Sequence, residues 1–223
     1  MYAVVTGGST GLGYYIAKAL FKRKYSLILI SRNEERLKKA AKELNAEWYA
    51  LDLSKNYLEA GEIIKKTKPE VLVNNAGFGL YGEFADMNTQ KIIDMNNLNV
   101  TALTYLTKIA FEVMDKGYIL NIASVAACHP QPRLSVYAAT KAYVAHLSRS
   151  LIKEAPPQIK VSYVLLGPTK TAFFKNAGMS TKAFEKIMLS PETVAEKIVK
   201  SMFRGKKRIT PGIIYKLYCL GRC

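Results

Sequence analysis

Short apolar runs without polar alternation punctuate the chain at residues 2–5, 26–30, 71–73, 118–122 and 161–166. Their β-branched and leucine-rich content predicts strands covered on both faces, and so a parallel sheet. Glu47 to Leu51 reads as a further strand. Between these runs lie lysine- and glutamate-rich stretches, such as Glu34 to Leu44 and Leu58 to Lys66, whose apolar residues recur every three or four positions, as in crossover helices. Asn33 with its following glutamates marks one helix start, and Ser190-Pro191-Glu192 marks another, which predicts a last helix from about Pro191 to Phe203. Strands alternating with helices through right-handed crossovers define an α/β fold. A doubly wound, mostly or fully parallel sheet of about seven strands follows, with any ligand at the carboxyl ends of the strands.

A length of 223 residues suits one domain, and no internal repeat or low-complexity linker divides it. Apolar residues at 49% and charged residues at 22% are those of a globular body, and no apolar run approaches the roughly 20 residues of a membrane span. Because Met1 to Thr6 already reads as a buried strand, no signal peptide is expected, and the expected location is cytoplasmic. Cys128, Cys219 and Cys223 make no disulfide framework and are expected as reduced thiols. His129 and His146 make no cluster, so no metal is expected.

Charge changes this picture most. The formal net charge is +16, with lysines dispersed along the chain. The densest patch, Arg204-Gly205-Lys206-Lys207-Arg208, lacks the interleaved aromatics of a nucleic-acid site, so nucleic acid is not the expected partner.

Thr6-Gly7-Gly8-Ser9-Thr10-Gly11-Leu12-Gly13 follows the first strand and opens a helix, the setting of a phosphate-binding turn. Its glycines let backbone approach a pyrophosphate, and the helix amino terminus beyond adds N–H donors and positive dipole. At the end of the second strand stand Ser31 and Arg32, where an acid would mark NAD. Arginine's planar fork of donors, with no repelling carboxylate at residues 30–32, favours the 2′-phosphate of NADP(H).

Ser124, Tyr137 and Lys141 are spaced as a proton-transfer unit, the tyrosine and lysine sharing a helix face at i, i+4. An ammonium beside a phenol favours the phenolate, which predicts a Tyr137 pKa pulled down from about 10. The other pair of this spacing, Tyr14 and Lys18, has no serine ahead of it and reads as an ordinary helix-surface pair.

Together the T-G-x-x-x-G-x-G turn, Asn74-Asn75-Ala76-Gly77, the Ile119 to Ser124 strand with its terminal serine, and Tyr137-x-x-x-Lys141 resemble the short-chain dehydrogenase/reductase family in its classical type. Motifs carry this over roughly residues 2–175, and more loosely to about Pro211. The resemblance implies one domain over 1–211, with a cofactor half to about residue 115, a catalytic half from about 116, a lid at about 170–190, and a tail over 212–223. It implies that Asn99 completes a catalytic set with Ser124, Tyr137 and Lys141. In that set Ser124 holds the substrate oxygen, Tyr137 donates a proton, Lys141 also holds the nicotinamide ribose, and Asn99 anchors a water that passes protons on from Lys141.

By the same likeness Gly7, Ser9, Thr10, Gly11, Leu12 and Gly13 line the cofactor with Ser31 and Arg32, and Asn75, Ala76 and Gly77 brace the sheet beside the adenine ribose. Asp52, with Leu53 beside it, matches the acid that receives the adenine amino group; a helix-capping aspartate fits it as well. The Leu166 to Thr171 segment resembles the loop facing the carboxamide through Gly167, Thr169 and Thr171, with leucine in place of the usual first proline. The implied activity is hydride transfer between NADP(H) and a small carbonyl or secondary alcohol; the alternative is a non-catalytic cofactor binder of the same fold.

Phe173, Phe174, Met179 and Phe184 suit either an apolar lid or the core of a helix pair. With Ala127, Cys128, Pro130 and Leu134 they suggest an apolar ketone or aldehyde. The aromatic tail, Gly212 to Leu220, follows the basic cluster and could rest on an anionic membrane. Packing on a partner subunit is the favoured expectation, since the family forms homodimers and homotetramers.

Overall fold

The computed structural model describes residues 1–182 and 184–221. Ala183 in the expected lid, and Arg222 and Cys223 at the end of the expected tail, lie outside the described residues, so the expectation of a reduced thiol at Cys223 does too.

Seven parallel strands form one sheet in the order β3-β2-β1-β4-β5-β6-β7. They are β1 (Tyr2–Thr6), β2 (Ser26–Ser31), β3 (Glu47–Ala50), β4 (Val71–Asn74), β5 (Gly117–Ser124), β6 (Ile159–Leu166) and β7 (Arg208–Ile209). Helices α1 (Gly11–Phe21), α2 (Glu34–Leu44), α3 (Tyr57–Thr67), α4 (Thr89–Asn96), α5 (Leu103–Val113), α6 (Ser135–Glu154), α7 (Phe173–Asn176), α8 (Pro191–Phe203) and α9 (Ile213–Tyr218) complete it. A π-helical turn, Asn97–Ala102, joins α4 to α5. No helix among the described residues is long and apolar enough to cross a membrane.

The apolar runs are strands because both faces of the sheet are covered. Ala3, Val5, Val71, Val73, Leu120 and Ile122 pack against α1, α2 and α8, while Val4, Leu72 and Ile119 point the other way into a core shared with α3 and α5. Helix starts follow their caps: the Asn33 side chain accepts from the Arg36 N–H. Ser190 occupies the matching position before α8 without a side-chain cap, and Pro191 sets the first turn.

Strand order reverses between β1 and β4, and that switch point opens a crevice at their carboxyl ends. The turn after β1 is held there by close backbone approach. A Cβ on Gly13 would overlap the Gly7 carbonyl oxygen and the Asn75 amide, and Gly7 itself adopts φ +66. Gly13→Ala should therefore lower the melting temperature by roughly 2–10 °C, as overpacking by one carbon does in a chain of this size. An unchanged thermal unfolding curve would mean the turn gives way freely.

Candidate active site

Thr6 and Asn75 lock the cofactor turn to the sheet. The Thr6 hydroxyl accepts from the Asn75 and Ala76 N–H groups and donates to the Val73 carbonyl. The Asn75 amide donates to the carbonyls of Thr6 (3.0 Å) and Gly7 (3.3 Å). Asn75 is thus a brace, as its sequence context suggested. Thr6 went unassigned from sequence, although a threonine ending an apolar strand at a glycine turn was its signal. Beyond the turn, α1 presents an amino terminus with no acidic residue in its first turn. Ser9, Thr10, Gly11 and Leu12 lie around that end, and Leu12 is buried against the sheet.

The Ser9 and Ser31 hydroxyls hydrogen-bond each other at 2.9 Å, and Arg32 next to them is exposed. No carboxylate stands at residues 30–32 to repel an anion from this corner. Asp52 does not cap a helix, because Asn56 precedes α3. Its carboxylate instead accepts from the Ser54 N–H (3.0 Å) and hydroxyl (2.7 Å), closing the turn after β3. Leu53 points into the core with Val4, Ile28 and Ile30, so its side chain packs the sheet.

Ser124 closes β5, and Tyr137 and Lys141 lie one turn apart on the inner face of α6. Tyr137 is 8% exposed and Lys141 5%, with the ammonium 5.9 Å from the phenol ring centroid. Lys141 Nζ donates to the Ile122 carbonyl at 2.8 Å.

The expected lowering of the Tyr137 pKa is not what the structure shows. Burial pushes the phenol up to about 12, and the nearby Ser124 side chain pulls only partly against it. Burial likewise lowers Lys141 to about 8. The ammonium is spent on a backbone carbonyl, and a buried phenolate loses more hydration than the distant charge returns. At neutral pH the phenol therefore keeps its proton and can donate it.

Asn99 sits in the π turn, 1% exposed. Its amide donates to the Phe78 carbonyl and the Thr140 hydroxyl, both at 3.0 Å, and its oxygen accepts from the Phe78 N–H at 3.2 Å. Thr140 in turn donates to the Tyr137 carbonyl at 2.7 Å. Asn99 thereby ties the loop after β4 to the helix carrying Tyr137. Gly77 permits this closeness: a Cβ there would lie 3.0 Å from Asn99 Oδ1 and 3.4 Å from Lys141 Nζ.

A buried polar chain beneath the site was not read from sequence. The Asn74 amide donates to Thr107 (3.0 Å) and Asn121 (2.9 Å), Asn121 donates to Ser148 (3.0 Å), and Ser148 donates to the Val144 carbonyl. Its signal was Asn121 inside an otherwise apolar run, since a buried amide must be paired. These bonds tie β4, β5, α5 and α6 in one register under Ser124, Tyr137 and Lys141.

Above the site, Phe173 packs at a tilt of 49° on Tyr137 with ring centroids 5.2 Å apart, and Phe174 and Phe184 extend the aromatic cluster. Gly79 leaves room for both rings; a Cβ there would lie 2.9 Å from Phe173 Cζ. The segment is no ordinary helix pair, since only the short α7 and a 3-10 turn, Glu185–Ile187, interrupt it. Thr171 touches the cofactor turn, where a Cβ on Gly11 would lie 3.3 Å from its methyl. Thr169 is buried, bonded to the Gly167 carbonyl and bridged to Leu189; these contacts and the Tyr215 ring against Gly167 hold the loop in which leucine replaces proline.

Ala127, Cys128 and Pro130 do not join this site. They line an apolar hollow of about 530 Å³ with Ser135, Ala138 and Ala142, and neither Tyr137, Lys141 nor Leu134 borders it. Helical periodicity explains the separation, because residues 138 and 142 lie roughly 100° from residues 137 and 141 around α6. Among the described residues no group of three His, Cys, Asp or Glu side chains could hold a metal.

Comparison with known proteins agrees with this geometry. A family model described as short chain dehydrogenase matches residues 1–182. The human "Inactive hydroxysteroid dehydrogenase-like protein 1" is 36% identical over 165 residues, covering 67% of this chain and 50% of that protein, so the chain spans about half of that relative's length. A "Very-long-chain 3-oxoacyl-CoA reductase" from Podospora anserina is 31% identical over 191 residues, covering 78% of this chain and 56% of the relative. Among solved structures, a short-chain dehydrogenase from Sphingobium yanoikuyae in complex with NADPH superposes with a TM-score of 0.88 at 27% identity, covering 95% of this chain and 88% of that one. With its parallel seven-stranded sheet, its glycine turn at the switch point and its Ser124, Tyr137 and Lys141 side chains gathered at the strand ends, the chain belongs to the short-chain dehydrogenase family.

Proposed function

We propose that the chain is an NADP(H)-dependent oxidoreductase that interconverts a small apolar carbonyl compound and its secondary alcohol. The observation that carries this is the buried Tyr137 phenol, one helical turn from Lys141 on α6 and close to the Ser124 side chain that ends β5, at the mouth of the crevice where the strand order reverses. When bound, the cofactor supplies or accepts the hydride. Gly7, Gly11 and Gly13, with the α1 amino terminus, would hold its pyrophosphate, and Ser9, Ser31 and Arg32 its 2′-phosphate. Asp52 through its second carboxylate oxygen, the Ala76-Gly77 backbone, and the Gly167, Thr169 and Thr171 loop would line the remainder.

Ser124 would hold the substrate oxygen while Tyr137 gives it a proton as the carbonyl carbon is reduced. Lys141 would keep a positive charge near the developing phenolate and hold the nicotinamide ribose. Asn99 would position the Tyr137 helix through Thr140, its side-chain amide and oxygen both engaged in that brace. Phe173 over Tyr137 sets an apolar ceiling and favours a greasy substrate. The NADPH complex of the Sphingobium relative supports the cofactor assignment.

The human relative named inactive motivates a second reading, a cofactor binder without turnover. A binder needs no buried proton donor, and this chain has one.

Tyr137→Phe should lower kcat in a carbonyl panel by at least about a hundredfold while leaving NADPH affinity unaltered. A variant that turns over normally would remove the assigned role. Wild-type protein should bind NADPH more tightly than NADH, and Arg32→Ala should weaken NADPH by roughly tenfold with little change for NADH, as loss of a charge-assisted bond predicts. Equal affinities in the unmutated protein would refute the phosphate assignment. Because burial lowers Lys141 to about 8, its charge is present below that pH and lost above it. The reduction rate at saturating cofactor should then fall as pH rises through about 8, whereas a profile flat into the alkaline range would show that the charge is not needed.

A further inference from the structure

Helix α9 is apolar on both sides. Inward, Tyr215 is buried against Gly167 and donates its hydroxyl to the Ile187 carbonyl at 2.8 Å, and Cys219 just beyond the helix is buried in the cluster of Ala123, Val144 and Tyr163. Outward, Ile213 is 69% exposed, Ile214 53%, Leu217 65% and Leu220 74%. At about 100° per residue Ile213, Ile214 and Leu217 form one continuous arc of α9 with Lys216 beside it, and Leu220 is exposed in the turn just beyond. A helix that is hydrophobic all round ordinarily sits in an apolar surrounding, yet α9 is covered by the body on one side only.

The charge around it is one-sided as well. From Lys197 onward the sequence holds eight basic residues and no aspartate or glutamate. Lys206, Lys207 and Lys216 are exposed. The basic segment adjoins the helix: Arg208 donates to the Cys219 carbonyl at 2.7 Å, and the Tyr163 N–H donates to the Lys207 carbonyl while the Tyr163 side chain shares a cluster with Cys219.

We propose that α9 and its cationic surroundings dock on the surface of an anionic lipid bilayer. Ile213, Ile214, Leu217 and Leu220 enter the headgroup–acyl boundary, and Lys206, Lys207 and Lys216 meet lipid phosphates and carboxylates. Charge decides against a second copy in this place. A two-fold contact would set the patch against itself, bringing together two segments without a single carboxylate to pair their lysines. An anionic bilayer supplies the apolar layer and the countercharge together. Through Tyr215, the docked helix also holds the Gly167 loop and the segment over Tyr137, so the bilayer would lie beside the route of an apolar substrate. The docking face stands on its own residues and does not depend on turnover.

The test is co-sedimentation of the full chain with phosphatidylcholine vesicles, with and without phosphatidylserine, at low and high salt. Binding to the serine-containing vesicles should exceed binding to the neutral ones by about tenfold or more and fall with salt. Leu217→Asp combined with Leu220→Asp should cut it by at least about tenfold without moving the melting temperature, since both side chains are mostly exposed. Lys206→Glu with Lys207→Glu should remove the preference for anionic vesicles. No binding to phosphatidylserine vesicles, or binding indifferent to the two aspartates, would overturn the proposal. So would a dimer in sedimentation velocity that the aspartates dissolve without any vesicle binding, which would assign the face to a second copy.

Discussion

The Thr6 hydroxyl is the joint on which the arrangement rests. It sits at the carboxyl end of the central strand, where the strand order reverses, and takes both N–H groups of the Asn75-Ala76 turn while donating to β4. Asn75 reciprocates with two bonds to the backbone around Gly7. The crevice must be open for a ligand, so the backbone lining it cannot be satisfied by further ladder bonds. Two short side chains supply what the sheet cannot, and glycine at positions 7 and 13 lets the strands come near enough for them to do so. The glycine turn is therefore held to the sheet by the protein's own hydrogen bonds.

A second layer of buried polar bonds extends this bracing to the helix that carries Tyr137 and Lys141. Asn74, Asn121, Ser148 and Thr107 link β4 to β5 and to the helices over them, and Asn99 and Thr140 link the loop after β4 to α6. Each such bond is worth little net, but an unmade one under the site would be costly, so together they define a single alignment of α6 on the sheet. That alignment fixes where Tyr137 and Lys141 stand. It also accounts for their protonation: both are held so deep that desolvation outweighs their mutual attraction, leaving a neutral phenol and a weakened ammonium. A site in that state is set to give a proton rather than to take one.

The segment over Tyr137 and the terminal helix complete the molecule on the side where the sheet ends. β7 pairs over only two residues, and α9 folds back against Gly167 and the turn Val125–Cys128 that follows β5. The residues over Tyr137 are consequently supported from two directions, by Thr171 at the cofactor turn and by Tyr215 at the far edge. A side chain as large as tyrosine fits there because position 167 has no Cβ.

The strands, the helices and the glycine turn were legible because each rests on a local rule: continuous apolar runs, a three-to-four residue period, a cap, a turn that only glycine permits. The i, i+4 placement of Tyr137 and Lys141 is likewise a property of the helix alone. What linear spacing could not convey is which way a group faces and how dry it is. Ala127, Cys128 and Pro130 line a hollow that neither Tyr137 nor Lys141 borders, Asp52 closes a turn, the Leu53 side chain packs in the core, and the phenol's pKa is raised rather than lowered. Desolvation and long-range pairing depend on atoms brought together from tens of residues away, such as Thr6 with Asn75 or Asn99 with Thr140. The amino-acid order by itself determined the elements and the chemistry they carry; only the tertiary structure decided the protonation, the bracing and the outward apolar face of α9, because each of these is set by what surrounds a residue in space.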